Sequence, residues 1–153
     1  MSPTTFTTLD ELAGATGRHL GWTDWVEITQ EQVNLFADAT GDHQWIHVDV
    51  ERATAESPFG GPIAHGYLTL ALTNLFLPQL LEVPGASAGI NYGTGKVRFP
   101  SPVPVPSRIR GGAEVTAVEA IDGGLQTTIT ITIQVEGQDK PACVVESLSR
   151  WLA

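Results

Sequence analysis

The chain is poor in positive charge: eight lysines and arginines stand against seventeen aspartates and glutamates, for a net charge of −9. An acidic surface repels nucleic acid and anionic membranes, so neither is expected as a partner. Cysteine is nearly absent. With Cys143 alone, no internal disulfide can form, and its setting in the apolar run Pro141–Val145 reads as a buried strand position rather than a nucleophile. The first residues lack a basic region followed by an apolar stretch, so no secretory leader is expected. The most apolar segment, Ile63–Leu81, is interrupted by His65, Asn74, Pro78 and Gln79, which makes it a poor membrane span. These absences point to a soluble, cytoplasmic protein. No repeat and no linker divides the 153 residues, so residues 1–153 are read as one domain.

What is present has an order. Gly21–Ile28 alternates like a strand. Thr29 with Gln32 three residues on forms a capping box for a helix whose apolar face is Val33, Phe36 and Ala37, and Gly41 ends it. Asp49 can cap a second helix, Val50–Glu56. Ile63–Leu81 carries apolar residues on nearly every side, the mark of a buried helix, with Pro78 placed to kink or end it. The rest is β-rich: Ala88–Phe99, Arg108–Ile121 with a possible bulge at Gly111-Gly112, a hairpin at Asp122-Gly123-Gly124, the alternating Gln126–Val135, and Ala142–Leu152. An antiparallel sheet wrapped around one long buried helix hides the apolar face of both, which gives an α+β, hot-dog architecture. The remaining sheet edge should pair with a second copy, so a homodimer is expected.

Two segments carry chemistry. Ala39–Asp49 holds Asp42, His43, His47 and Asp49; two polar groups five residues apart just after a helix end, Asp42 and His47, can converge on one small volume. His43 reads as exposed and Asp49 as a cap. The four have the residue types of a zinc or iron site, but their spacing matches no metal motif, and no metal or other cofactor is expected. The second segment is Ile63-Ala64-His65-Gly66-Tyr67. N–H groups in a helix's first turn lack partners inside the helix, and Gly66 has no side chain to block an incoming carbonyl oxygen. If the helix begins near Ala64 or His65, the Gly66 N–H is free to serve as an oxyanion donor; if it begins at Pro62, that N–H is already taken. His65 either packs at the helix start or touches substrate. Lys96, Arg98, Arg108 and Arg110 are either exposed strand residues or a basic rim for phosphates. Trp25 and Trp45 read as packing.

Thr40-Gly41-Asp42 through His47, followed by Phe59-Gly60 through Ile63-Ala64-His65-Gly66, resembles the MaoC-like (R)-specific enoyl-CoA hydratase family. Gln44-Trp45 in place of the family's Asn-Pro, with Asn91-Tyr92-Gly93 and Lys96–Pro100, resembles its nodulation protein N-like subgroup. The likeness runs from about Thr29 to Ala153. It implies a hot-dog fold and Asp42 with His47 as the catalytic pair. The backbone of Gly66 becomes the oxyanion donor, and a family serine nine residues beyond His65 falls on Asn74. The implied reaction is hydration of a trans-2-enoyl thioester, or the reverse dehydration, by one water held between Asp42 and His47. The substrate is an acyl-CoA or an acyl carrier protein thioester. Two other functions remain open on the same fold: acyl-CoA hydrolysis, and acyl-CoA binding without turnover.

Overall fold

In the computed structural model, residues 2–153 are described. The N-terminal part supplies β1 (Thr4–Thr5), α1 (Leu9–Ala13), β2 (His19–Trp22) and β3 (Val26–Ile28). Helices α2 (Gln30–Thr40), α3 (Trp45–Val48), α4 (Val50–Glu56), α5 (Gly66–Ala71) and α6 (Thr73–Leu80) follow, then β4 (Leu81–Glu82) and the long strands β5 (Ala88–Arg98), β6 (Ser107–Ile121), β7 (Gly124–Val135) and β8 (Cys143–Leu152). The six-stranded antiparallel sheet runs β2-β6-β7-β8-β5, with β3 also paired to β6; β1 and β4 form a small parallel pair. Among the described residues no helix is long and apolar enough to cross a membrane.

The strand pattern builds the core. In β7, Thr127, Ile129, Ile131, Ile133 and Val135 are buried on one face while Thr128, Thr130 and Thr132 are only half-buried on the other, as period-two alternation requires. Ile109, Val115 and Val145 extend that face, and Phe76, Leu77 and Leu80 of α6 cover it. Close approaches from both sides explain the paired glycines of β6: α6 over one and Trp22 of β2 over the other. A Cβ on Gly111 would lie 2.7 Å from Phe76, and one on Gly112 would lie 2.6 Å from Trp22. They are contact points, not a bulge: the register shift in β6 falls between Val115 and Ala117, at Thr116.

The central helix departs from the expected single buried rod in two ways. It is two segments joined at Leu72, where ψ opens to −10°. There the Leu75 N–H donates to the Leu72 carbonyl (2.9 Å) and the Thr73 hydroxyl donates to the Leu70 carbonyl (2.8 Å), so a local side-chain bond competes with the regular ladder. Nor is it buried all round. The sheet covers one side; Tyr67 (73% exposed), Asn74 and Leu75 face outward. Beside them runs β5, an edge strand whose Ile90 and Tyr92 are also exposed.

Candidate active site

Local chemistry places each polar group. The Thr29 hydroxyl accepts from the Gln32 N–H (3.2 Å) and starts α2, and Gly41 ends it in the left-handed region at φ 82°. That reversal presents Asp42 at the surface, with its side chain 51% exposed. After two more residues the single turn of α3 returns the chain inward and buries His47 to 7% exposure. Its Nδ1 donates to the main-chain carbonyl oxygen of Ile63 at 2.7 Å, and Gln30 Nε2 of α2 holds the His47 carbonyl at 2.7 Å. Ile63 is itself pinned: its N–H donates to Ile46 (3.2 Å), and the next N–H, of Ala64, to Val103 (2.9 Å).

Helix α5 starts at Gly66 with His65 as the preceding cap residue, later than the Pro62 start that would have occupied the glycine's N–H. Regular bonding resumes only at Thr69, whose N–H donates to the His65 carbonyl (3.1 Å). The Gly66 N–H therefore belongs to the open first turn. A cavity of 360 Å³ opens on Gly66, lined also by Phe59, Phe99 and Val103.

His65 does not reach that cavity. It is 2% exposed and packs at the helix start, the first of the two placements the sequence left open. Its Nε2 donates to the main-chain carbonyl of Asp42 at 3.0 Å, and its ring stacks on that of His47 with centroids 4.0 Å apart and planes 25° from parallel. The Asp42 carboxylate lies 4.0 Å from the same Nε2, too far for a hydrogen bond, and stays available. A ring nitrogen of each histidine and an oxygen of Asp42 lie within 4.8 Å of one another. That gap suits one water accepting or donating a bond of roughly 2.8 Å on each side. By residue type the trio could ligate a cation. As placed, His65 Nε2 is directed at the Asp42 carbonyl, so that nitrogen is not offered to an ion.

Burial, the largest influence, lowers the pKa of His47 below its usual 6.5; the nearby His65 lowers it further, while the bond to Ile63 and the charge of Asp42 oppose them. Cys143 is buried in β8, which pushes its thiol up to about 11 and removes it from nucleophilic use.

The remaining candidates scatter. Asn74 lies on the outward face of α6, and its side chain borders a separate cavity of 370 Å³ with Asn91 and Trp151. It is two helical turns from Gly66 and is not gathered with Asp42 and His47. His43 pairs with Asp38 at the surface (3.0 Å), and Asp49 caps α4 by accepting from Arg52 N–H (3.0 Å). Arg108 pairs with Glu136 (2.9 Å), and Arg110 lies against Trp22 and Trp25 while its edge meets Gln134. Trp45 packs under the Arg52 guanidinium at 4.2 Å. Sequence reasoning missed the small sheet β1–β4 and α1, although Thr8 with Glu11 carries a capping pattern: the Thr8 hydroxyl accepts from the Glu11 N–H (3.2 Å). It also missed the contact between His65 and Asp42, for which no local signal exists.

The profile of the MaoC like domain matches residues 11–137. The chain is 55% identical over 150 residues to 3-hydroxyacyl-thioester dehydratase Z of Mycobacterium tuberculosis, covering 97% of this chain and 99% of that protein. It is 43% identical over 150 residues to nodulation protein N of Rhizobium meliloti, covering 95% and 89%. The fold resembles that of the R-hydratase PhaJ1 of Pseudomonas aeruginosa in the unliganded form, with a TM-score of 0.75 at 23% identity over 95% of this chain and 85% of the other.

Proposed function

Because the chain belongs to the MaoC-like dehydratase family, a hot-dog family of hydro-lyases acting on enoyl and 3-hydroxyacyl thioesters, we propose that Asp42 and His47 hold and ionise the single water that is added or removed. The observation that carries this reading is the meeting of a half-exposed carboxylate and a tautomer-locked imidazole within 4.8 Å.

The His47 Nδ1 proton is committed to Ile63, so Nε2 carries the lone pair. In hydration, His47 Nε2 takes a proton from the water as its oxygen bonds to C3. The Asp42 carboxylate accepts the other water proton in a hydrogen bond and sets the oxygen's direction. The electron pair of the C2–C3 double bond moves toward the thioester carbonyl, whose oxygen accepts a hydrogen bond from the Gly66 N–H as its negative charge develops. One such donor lowers a barrier by roughly 3 kcal/mol. The proton on His47 then passes to C2 on the same face, and dehydration is the reverse. The base must be neutral to begin, and the lowered pKa of His47 keeps it so at neutral pH. Product with (R) configuration, and a CoA or carrier-protein thioester as substrate, follow from the family resemblance.

We further propose that the protein works as a homodimer. Tyr67 and Leu75 are exposed on α5 and α6, and Ile90 and Tyr92 are exposed on β5, an edge strand with no partner on its outer side. A second copy would cover it and continue the sheet. The direct test of function is loss of conjugated-thioester absorbance on mixing the protein with trans-2-enoyl-CoA over a range of chain lengths. Free-thiol release, measured in parallel, reads hydrolysis instead. Negligible absorbance loss at every chain length, by wild type and Asp42→Asn alike, overturns the proposal.

A further inference from the structure

We infer that His65 is a positioning residue for the water-holding pair, gripping Asp42 through its Nε2 and His47 through its ring face; the inference rests on the reading of Asp42 and His47 given above. The three groups assigned to the reaction stand on three separate pieces of chain: Asp42 on the turn after α2, His47 in α3, and Gly66 at the start of α5. The short chain between Asp42 and His47 limits their separation without fixing it, and nothing local fixes either against Gly66. His65 touches the first two and is bonded to the third.

Each contact uses a different part of the imidazole. The edge donates Nε2–H to the Asp42 main-chain carbonyl at 3.0 Å, which holds the backbone that carries the carboxylate without bonding the carboxylate itself, whose Oδ1 accepts from the Gln44 N–H (3.4 Å). One face stacks on His47 at 4.0 Å and 25°. The Phe36 ring of α2 packs against His65 with centroids 4.8 Å apart at a tilt of 56°. Since the atom facing Nε2 is a carbonyl oxygen, the proton sits on Nε2. Nδ1 is left as a bare lone pair, buried and without a hydrogen-bond partner. The backbone of the same residue caps α5, so any shift of His65 also turns the Gly66 N–H.

The chemistry of the position is restrictive. Leucine supplies bulk without a donor, and glutamine a donor without a flat face. Phenylalanine supplies a face without the edge proton. Misplacement of reacting groups by about 1 Å can cost on the order of a hundredfold in rate, so the contacts of His65 should be read out in turnover more than in binding.

The test compares wild type with His65→Gln and His65→Leu in trans-2-enoyl-CoA hydration, with Asp42→Asn and His47→Gln alongside and a melting curve for each. Gln keeps the donor to Asp42 and should lower kcat roughly tenfold; Leu loses donor and stack and should lower it roughly a hundredfold. KM should stay within about threefold in both. The acid limb of kcat/KM should move to higher pH, because His65 and the burial it provides hold the His47 pKa down. A role confined to folding would lower the melting temperature without moving that limb. If Leu prevents folding, Gln decides alone. A folded His65→Gln variant with wild-type kcat and an unmoved acid limb overturns the inference. If Asp42→Asn and His47→Gln retain full activity, the underlying pair reading falls instead.

Discussion

His47 donates its Nδ1 proton to the carbonyl of Ile63 at 2.7 Å, and this one bond turns a histidine of unspecified tautomer into an imidazole with a defined lone pair on Nε2. Ile63 can hold it because its own N–H donates to Ile46 and the next N–H, of Ala64, donates to Val103. The residue that orients the imidazole is thus sixteen positions away in sequence, and it acts through its backbone.

The pH dependence of activity follows with a definite sign. The folded-state pKa of His47 lies below 6.5. Activity in kcat/KM should therefore hold at pH 6.5 and fall only below it, as the proton enters Nε2. The same depression affects stability. Above 6.5 neither state binds the proton; as pH falls from 6.5 toward the lower folded value, the unfolded chain binds it first and stability drops. An acid limb centred above 6.5 in the free-enzyme profile contradicts the assignment of His47 as the base.

Asp42→Asn should cost about two to four orders of magnitude in kcat, the usual range for a positioned acid–base group. Because its side chain is half-exposed, the melting temperature should hardly change. Single-turnover kinetics with a folded variant checks this, and turnover within about tenfold of wild type would count against it.

Gly66→Pro isolates the oxyanion donor. Proline is well tolerated at the first helical position, and His65 before it already has the extended ψ of 137° that proline favours in its predecessor. The fold should survive while the N–H is deleted, and kcat should fall by roughly 10²–10³. Gly66→Ala, whose Cβ would only reach 3.4 Å from the Phe99 ring, should retain far more activity.

Gly111→Ala tests the packing of the central helix on the sheet. The added methyl would lie 2.7 Å from the Cβ and Cγ of fully buried Phe76, atoms that cannot swing aside. Overpacking of this kind destabilises by about 1–3 kcal/mol. For a domain of this size, thermal unfolding should show a drop of roughly 2–4 °C per kcal/mol.

Tyr67→Glu combined with Ile90→Glu should convert a dimer to a monomer in light scattering. Both side chains are exposed in the protomer, so the loss should come from association and not from the protomer's own core. A wild-type protein that is already monomeric at high concentration would sink the dimer.

The elements that local rules govern were legible before any coordinates. Thr29 and Gly41 bound α2, Asp49 caps α4, and the alternation in β7 names its buried face, because capping, left-handed glycine turns and strand periodicity act within a few residues. The closeness of Asp42 and His47 was legible from their spacing across a helix end. The break at Leu72, the role of Gly111 and Gly112 as contact points, and the exposed side of the central helix were not: each depends on what packs opposite.

By itself, then, the sequence determined which residues could act, since side-chain chemistry and short spacing travel with the chain. Only the tertiary structure decided which of them lie together. It buried His65 under the pair, sent Asn74 to another face and aimed the Ile63 carbonyl at His47, because those relations join residues far apart in the chain through packing and backbone hydrogen bonds that no local pattern encodes.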